Sequence, residues 1–228
     1  MGASHSARST GSAWLQETGS PFPLLLDRER HLPGLRAGQL VHPGMAGRVV
    51  VLAGAGGNGG GGIACARHLH NRGFDVAIVL DRAAAALTGA PAAQLAILAA
   101  AELAPADPGE APGLVVDALI GYSLAGAPRG RTAELIELCN TSARRVLSLD
   151  VPSGLNATTG EAPGAVIRPD RTLTLALPKT GLARVPGDLY LADIGIPPEV
   201  YVQLGIALAP FFGRAYWVRL GCQAGAGV

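Results

Sequence analysis

Residues 54–62 read Gly-Ala-Gly-Gly-Asn-Gly-Gly-Gly-Gly, directly after the apolar run Val49–Ala53 and directly before Ile63-Ala-Cys-Ala-Arg67. An apolar β-branched run, a glycine loop and a helical pattern, in that order, build a turn whose main chain can approach an anionic ligand. Glycine reaches positive φ without steric cost. Without a Cβ, a phosphate can lie against backbone N–H groups at the start of the next helix. The chain carries 32 glycines in 228 residues, so a flexible turn in a glycine-biased protein is the competing reading. The rest of the chain decides between the two.

From residue 48 onward, strand and helix patterns alternate. Strands are predicted over 48–53, 76–80, 114–116, 146–149, 172–177 and 188–192, helices over 63–72, 92–103 and 132–139, and a short helix from Pro198. Runs that are apolar on both faces suit a parallel sheet covered by helices on each side. The predicted fold class is therefore α/β, a three-layer αβα Rossmann-like sandwich with a mostly parallel central sheet, with 46–228 as one domain. Residues 1–45 hold Pro21, Pro23, Pro33 and Pro43 and only a short amphipathic stretch near 24–35. They are predicted to form an irregular or poorly ordered arm that leaves the site exposed, with the core starting near residue 46. Beyond about residue 211 no pattern is evident.

Composition narrows the function classes. A net charge of +1 without a basic run argues against a nucleic-acid partner. Apolar stretches fall short of a membrane span, and residues 1–20 lack the apolar segment of a secretory signal. Cys65, Cys139 and Cys222 are odd in number and widely spaced, which fits thiols in a reducing cytoplasm better than disulfides or zinc ligands. Of the 18 basic residues, 17 are Arg and one is Lys, at position 179. A solitary Lys can give up a proton where a guanidinium cannot, although on composition alone an incidental surface Lys is the favoured reading.

In open α/β sheets ligands bind beyond the C-terminal ends of the strands. Three polar features fall there: the glycine loop, Asp117 after Leu114-Val115-Val116, and Asp150 after Val146-Leu147-Ser148-Leu149. A carboxylate at the end of a buried strand is costly unless paired with a cation, a helix N-terminus or a ligand. An Asx turn or N-cap would explain either aspartate alone. Two of them beside a phosphate-type loop on one sheet edge favour a shared site.

These segments resemble the NAD(P)H-hydrate epimerases, the YjeF N-terminal domain family. Residues 54–62 are similar to that family's Gly-Pro-Gly-Asn-Asn-Gly-Gly-Asp-Gly loop, and Val116-Asp117-Ala118-Leu-Ile-Gly121-Tyr-Ser to its Val-Asp-Ala-Leu-Phe-Gly-Thr-Gly. Asp150-Val-Pro-Ser153-Gly154-Leu-Asn156 resembles its Asp-Ile-Pro-Ser-Gly-Leu-Asp, Pro178-Lys179-Thr-Gly181 its Pro-Lys-Pro-Gly, and Asp193-Ile-Gly-Ile-Pro197 a further motif in the same order. The resemblance covers roughly residues 48–200. It implies interconversion of the R and S epimers of NADHX and NADPHX, the hydrated forms of the reduced nicotinamide cofactors. Substrate contacts would come from Gly57, Asn58, Gly59, Gly60 and Gly61, from Gly121, Tyr122, Ser123, Leu124, Ala125, Gly126 and Ala127, and from Asp150. Asn58, Asp117 and Ser153 would hold one K+ per subunit, because amide, carboxylate and hydroxyl oxygens suit a hard monovalent cation. Asp150 and Lys179 would form the proton-transfer pair. The implied setting is a cytoplasmic enzyme with a small-molecule substrate, compatible with a homodimer. Gly57 stands where the family has its first loop Asn, and Gly61 where it has Asp; both changes keep the backbone cradle and remove side-chain hydrogen bonds.

Two other readings stay open. Gly54-x-Gly56-x-x-Gly59, with Asp81 at the end of the second strand as a ribose-binding acid, also fits an NAD-dependent oxidoreductase. A non-catalytic binding module of the same fold would accommodate the loop departures.

Overall fold

The computed structural model describes residues 31–41, 47–107, 109, 112–206 and 212–221. Chain order within them is α1 (His31–Gln39), β1 (Val49–Ala53), α2 (Gly57–His70), β2 (Val76–Leu80), α3 (Gly89–Ala99), β3 (Leu114–Ala118), α4 (Gly130–Ser142), β4 (Val146–Leu149), β5 (Arg171–Leu175), β6 (Asp188–Ala192), α5 (Pro198–Gln203) and β7 (Trp217–Leu220). Short 3₁₀ turns cover Ala84–Ala86 and Thr180–Arg184. The strands form one sheet in the order β2-β1-β3-β4-β5-β6-β7, parallel throughout except for β7, which runs antiparallel to β6.

Every residue of β1 is buried, and its side chains divide by the period of two. Val49, Val51 and Ala53 meet Ile63 and Leu69 of α2, Leu98 of α3 and Ala37 of α1, while Val50 and Leu52 meet Leu135, Ile136 and Cys139 of α4. Helices thus cover both faces, the three-layer α/β architecture expected from the apolar runs. Strands β2, β4 and β6 begin and end at the residues predicted for them.

Beyond shifts of one to four residues at the ends of β1, β3, β5, α3 and α4, three elements differ from the sequence reading. The first is α1, which occupies part of the segment read as an irregular arm; residues 1–30 and 42–46 lie outside the described residues. Here Ala37, Leu40 and Val41 are buried in the main core, so the core begins before residue 46. The reason is a close helix crossing: a Cβ on Gly34 would lie 2.4 Å from the Gly61 carbonyl oxygen and 2.5 Å from the Cys65 nitrogen. With no side chain at Gly34, α1 can lie directly on α2. Arg36, also buried, donates to the Asp193 carbonyl at 3.3 Å and stacks 3.8 Å over the Tyr216 ring, tying α1 to the far end of the chain.

The second difference is β7, where no pattern was legible. It is held by its antiparallel pairing to β6 and by an edge-to-face contact of Trp217 with Tyr190 at 5.4 Å. The third is the start of α2, six residues earlier than predicted. Glycine disfavours helix by propensity, so the pattern placed the start after the loop. Packing reverses that. A Cβ on Gly59 would sit 1.7 Å from the Gly54 carbonyl oxygen, and one on Gly62 would sit 2.5 Å from the Ala118 Cβ. Only glycine lets this first turn press onto the ends of β1 and β3.

Candidate active site

A cavity of about 960 Å³ opens beyond the C-terminal ends of β2, β1, β3, β4 and β5. Its floor near β1 is the N-terminus of α2. Gly56 precedes that helix without a capping side chain, and the first helical hydrogen bond runs from the Gly60 N–H to the Gly56 carbonyl. The N–H groups of residues 57–59 lie ahead of that bond and are free of intrahelical acceptors, a surface suited to an anion.

Asp150 sits at the end of β4, with φ of +68° and 4% exposure. Left-handed backbone in a non-glycine residue is uncommon, and Asp tolerates it better than most. The turn is fixed from several sides. The Asp150 N–H donates to the Leu173 carbonyl at 2.8 Å, and its Oδ2 accepts the Tyr122 N–H at 3.2 Å. Its Oδ1 accepts Lys179 Nζ, which also donates to Thr174 Oγ1 at 3.1 Å and to the Leu175 carbonyl at 2.8 Å. All three Lys179 protons therefore have acceptors, and the solitary Lys of the composition lies against the carboxylate at the wall of the cavity.

Asp117, at the end of β3, lies just behind that wall and is fully buried. Its Oδ1 accepts Ser153 Oγ at 2.5 Å and the Leu119 N–H at 3.3 Å; its Oδ2 accepts Ser148 Oγ at 2.8 Å and the Ser153 N–H at 2.9 Å. Burial pushes the Asp117 carboxyl above the usual carboxylate range, and these hydrogen bonds pull it back only in part. None of the described ion pairs gives it a cation. Ser153 Oγ in turn accepts the Ile120 N–H at 2.8 Å, so this cluster shapes the turn that carries Gly121 and Tyr122. Across the turn, Asn58 Nδ2 donates to the Leu149 carbonyl at 3.0 Å, while its buried Oδ1 has no hydrogen-bond partner.

At the opposite end, beyond β2, Asp81 receives Arg82 through two bonds, Nε to Oδ1 at 2.9 Å and Nη2 to Oδ2 at 3.0 Å, and Thr132 Oγ1 to Oδ2 at 3.2 Å.

Most of the residues singled out from the sequence line the cavity: Gly57, Asn58, Gly61, all of 121–127, Asp150 and Lys179. Gly59 and Gly60 do not. They face Gly54 and Ala90 and serve the packing of α2. Asp117 and Ser153 stand behind the lining. Cys65 and Cys139 are buried free thiols away from it, and burial pushes the Cys65 thiol up to about 12; Cys222 lies outside the described residues.

A sequence model described as YjeF-related protein N-terminus matches residues 39–181. The chain belongs to this family. Among its relatives, an NAD(P)H-hydrate epimerase of Dehalogenimonas lykanthroporepellens is 47% identical over 214 residues, covering 90% of this chain and 86% of that protein. One from Truepera radiovictrix is 40% identical over 189 residues, covering 81% and 85%. A bifunctional NAD(P)H-hydrate repair enzyme of Hyperthermus butylicus is 43% identical over 183 residues, 74% of this chain but only 34% of that longer protein. The crystal structure of the yeast protein ynu0 superposes with a TM-score of 0.73 at 20% identity, covering 92% and 95% of the two chains, which shows the shared fold.

In this YjeF-related chain the structure adds cavity residues that the sequence reading passed over. Arg82 follows an aspartate that was considered alone, and Thr132 opens α4 without any motif around it. Thr174 is not in the lining but buried behind it within β5, and only its contact with Lys179 distinguishes it from a core residue. Pro33 reaches the lining from α1, so that helix helps to enclose the site.

Proposed function

We propose that this chain is an NAD(P)H-hydrate epimerase, interconverting the R and S epimers of hydrated NADH and NADPH. The observation that carries the reading is the Asp150–Lys179 pair, held rigidly at the wall of a cavity that begins at an uncapped, glycine-lined helix N-terminus. Relatives covered over most of their length bear the same name.

Epimerisation at a hydroxylated ring carbon needs the C–O bond broken and remade on the other face. The leaving hydroxyl takes a proton from the Asp150–Lys179 pair and departs as water, with the ring nitrogen's lone pair stabilising the planar cation left behind. Water then adds from the opposite face and returns a proton to the pair, so nothing is consumed. The Lys179 ammonium carries the proton given to the departing hydroxyl, and the Asp150 carboxylate accepts the one that the incoming water gives up and passes it back across their hydrogen bond. The diphosphate would rest on the N–H groups of residues 57 and 58, and Tyr122, exposed at the cavity, would stack on a ring.

The family resemblance implies a potassium ion, and the donor set here suits one. Asn58 Oδ1 is a buried oxygen without a donor, and Asp117 is a buried carboxylate with no described counter-cation. Asn58, Asp117 and Ser153 would hold the ion, which would offset the Asp117 charge and firm the turn at 119–121. Cytoplasmic location and a homodimer belong to the same proposal. Among the described residues no helix is long and apolar enough to cross a membrane.

The oxidoreductase alternative loses support at Asp81, whose oxygens are taken up by Arg82 and Thr132 rather than open to a ribose. The deciding experiment is epimer interconversion by the purified chain, followed by chromatography of R and S NADPHX in potassium and in choline buffers. Turnover without hydride transfer supports the proposal. Binding without turnover in either buffer overturns it in favour of a non-catalytic module.

A further inference from the structure

The cavity crosses five neighbouring strand ends, from Arg82 beyond β2 to Lys179 beyond β5, four steps or about 19 Å at the usual inter-strand spacing. With the diphosphate on α2, after β1, and the reacting ring at Asp150 and Lys179, the adenosine half must lie toward β2. A free carboxylate in that place accepts a ribose hydroxyl and repels a phosphate. The arrangement here is different. The Asp81 side chain is 5% exposed and that of Arg82 49%, so a ligand entering this end meets the guanidinium and not the acid. Arg82 reaches Asp81 through Nε and Nη2, which leaves Nη1 with no acceptor among the described residues. Arg129, exposed on the same rim just before α4, has no ion-pair partner among the described residues. One buried carboxylate and two guanidinium groups give this end a net positive charge.

We infer that this end recognises a 2′-phosphate on the adenosine ribose, through Arg82 with Arg129 beside it, so that the chain discriminates in favour of the phosphorylated cofactor hydrate. The inference rests on the proposed function for the orientation of the ligand. Asp81 acts here as the anchor that holds the Arg82 guanidinium in place, and Thr132 fixes the anchor from α4. Forked N–H donors match the oxygens of a phosphate, which a ribose hydroxyl cannot engage as strongly.

The test is isothermal titration of the full chain with adenosine 2′,5′-bisphosphate and with 5′-AMP, two probes that carry no nicotinamide and do not depend on turnover. The expected result is a preference for the bisphosphate of about tenfold or more, the size of one charge-assisted contact in a partly solvated site. In Arg82→Ala that preference falls to within about twofold, and Arg129→Ala lowers it part of the way. Should Arg82→Ala unfold, Arg82→Gln reads the same ratio, since it keeps a donor toward Asp81 and removes the charge. Equal affinity for the two probes in the unmodified chain overturns the inference, and so does a preference that survives Arg82→Gln. Turnover of both hydrates with no discrimination between the probes sinks the inference and leaves the epimerase reading intact. A clear preference without turnover sinks that reading and leaves the inference standing.

Discussion

Asp150 and Asp81 are both carboxylates buried beyond a strand end, their side chains 6% and 5% exposed, and each faces one cation, but the cations are held differently. Lys179 is 20% exposed and gives all three protons to fixed acceptors, one of them the fully buried Thr174. Arg82 is half exposed and reaches its carboxylate with only part of its fork. At the β4–β5 end the cation serves the carboxylate, which is left to do chemistry. At the β2 end the carboxylate serves the cation, which is left to bind. An aspartate paired with a cation thus takes opposite roles according to which member the surrounding chain has immobilised and which it exposes.

The largest expected effect tests the chemical half of that contrast. In Asp150→Asn the amide is nearly isosteric but cannot accept a proton at neutral pH. Epimerisation should slow by about 10²- to 10⁴-fold, with circular dichroism unchanged. A variant within a few-fold of the original rate would move the proton transfer away from Asp150 and erase the distinction between the two ends.

Asp117, between them, is a third buried carboxylate with four donors and no described cation. Asp117→Ala leaves those donors, apart from Ser153 Oγ with the Ile120 carbonyl at 3.1 Å, without a shown acceptor and opens a small void, and should cost about 2–4 kcal/mol in urea denaturation. A loss below about 1 kcal/mol would mean that the turn behind the cavity rebuilds itself without the carboxylate.

The same residue makes a pH prediction with a definite sign. Its carboxyl is raised in the folded chain by burial, so the unfolded chain releases the proton first as pH increases. Its contribution to stability is fully present below the unfolded value of about 4 and is lost as pH rises through the folded value, at no more than about 1.4 kcal/mol per pH unit. A cation beside the carboxylate would cancel the raise. Stability curves measured in potassium should therefore be flatter over this window than those in choline, and identical slopes in both salts would remove potassium from Asp117.

Much of this was legible in the sequence because burial on both faces leaves a strong signal. β2, β4 and β6 could be bounded from apolar runs alone, and Lys179 stood out by composition before its contact with Asp150 was known. The glycines of α2 were misread because helix propensity is local, whereas the need for a bare backbone at Gly59 comes from Gly54 and that at Gly62 from Ala118. For α1 the difficulty was similar: the seat for Gly34 is made by Gly61 and Cys65, distant in sequence, and four prolines in 1–45 dominated the pattern. Strand β7 depends on its partner β6 and on one aromatic contact. Arg82 was missed because adjacent residues in a strand point to opposite faces. Beyond the strand end the chain turns, and that rule no longer separates Asp81 from its neighbour.

The smallest effects form a matched pair that isolates the difference between the two ends. Thr174 and Thr132 each place a hydroxyl on one ion pair, and valine replaces either with almost the same shape. Thr174 Oγ1 accepts a proton of the largely buried Lys179 ammonium, and nothing else near that proton is shown to replace it. Thr174→Val therefore leaves a charged donor unsatisfied and should cost about 1–3 kcal/mol, with a fall in epimerisation rate as Asp150 loses its fixed orientation. Thr132 Oγ1 instead donates to a carboxylate whose two oxygens keep Arg82, at a rim that water can reach. Thr132→Val should cost about 0.5–1 kcal/mol and leave the rate at saturating substrate unaltered, because Asp150 and Lys179 lie three and four strands away. Both are read in the same urea titration. Equal losses would show that the two ion pairs are equally rigid, and the division of labour argued from Lys179 and Arg82 would then have to come from the residues around them.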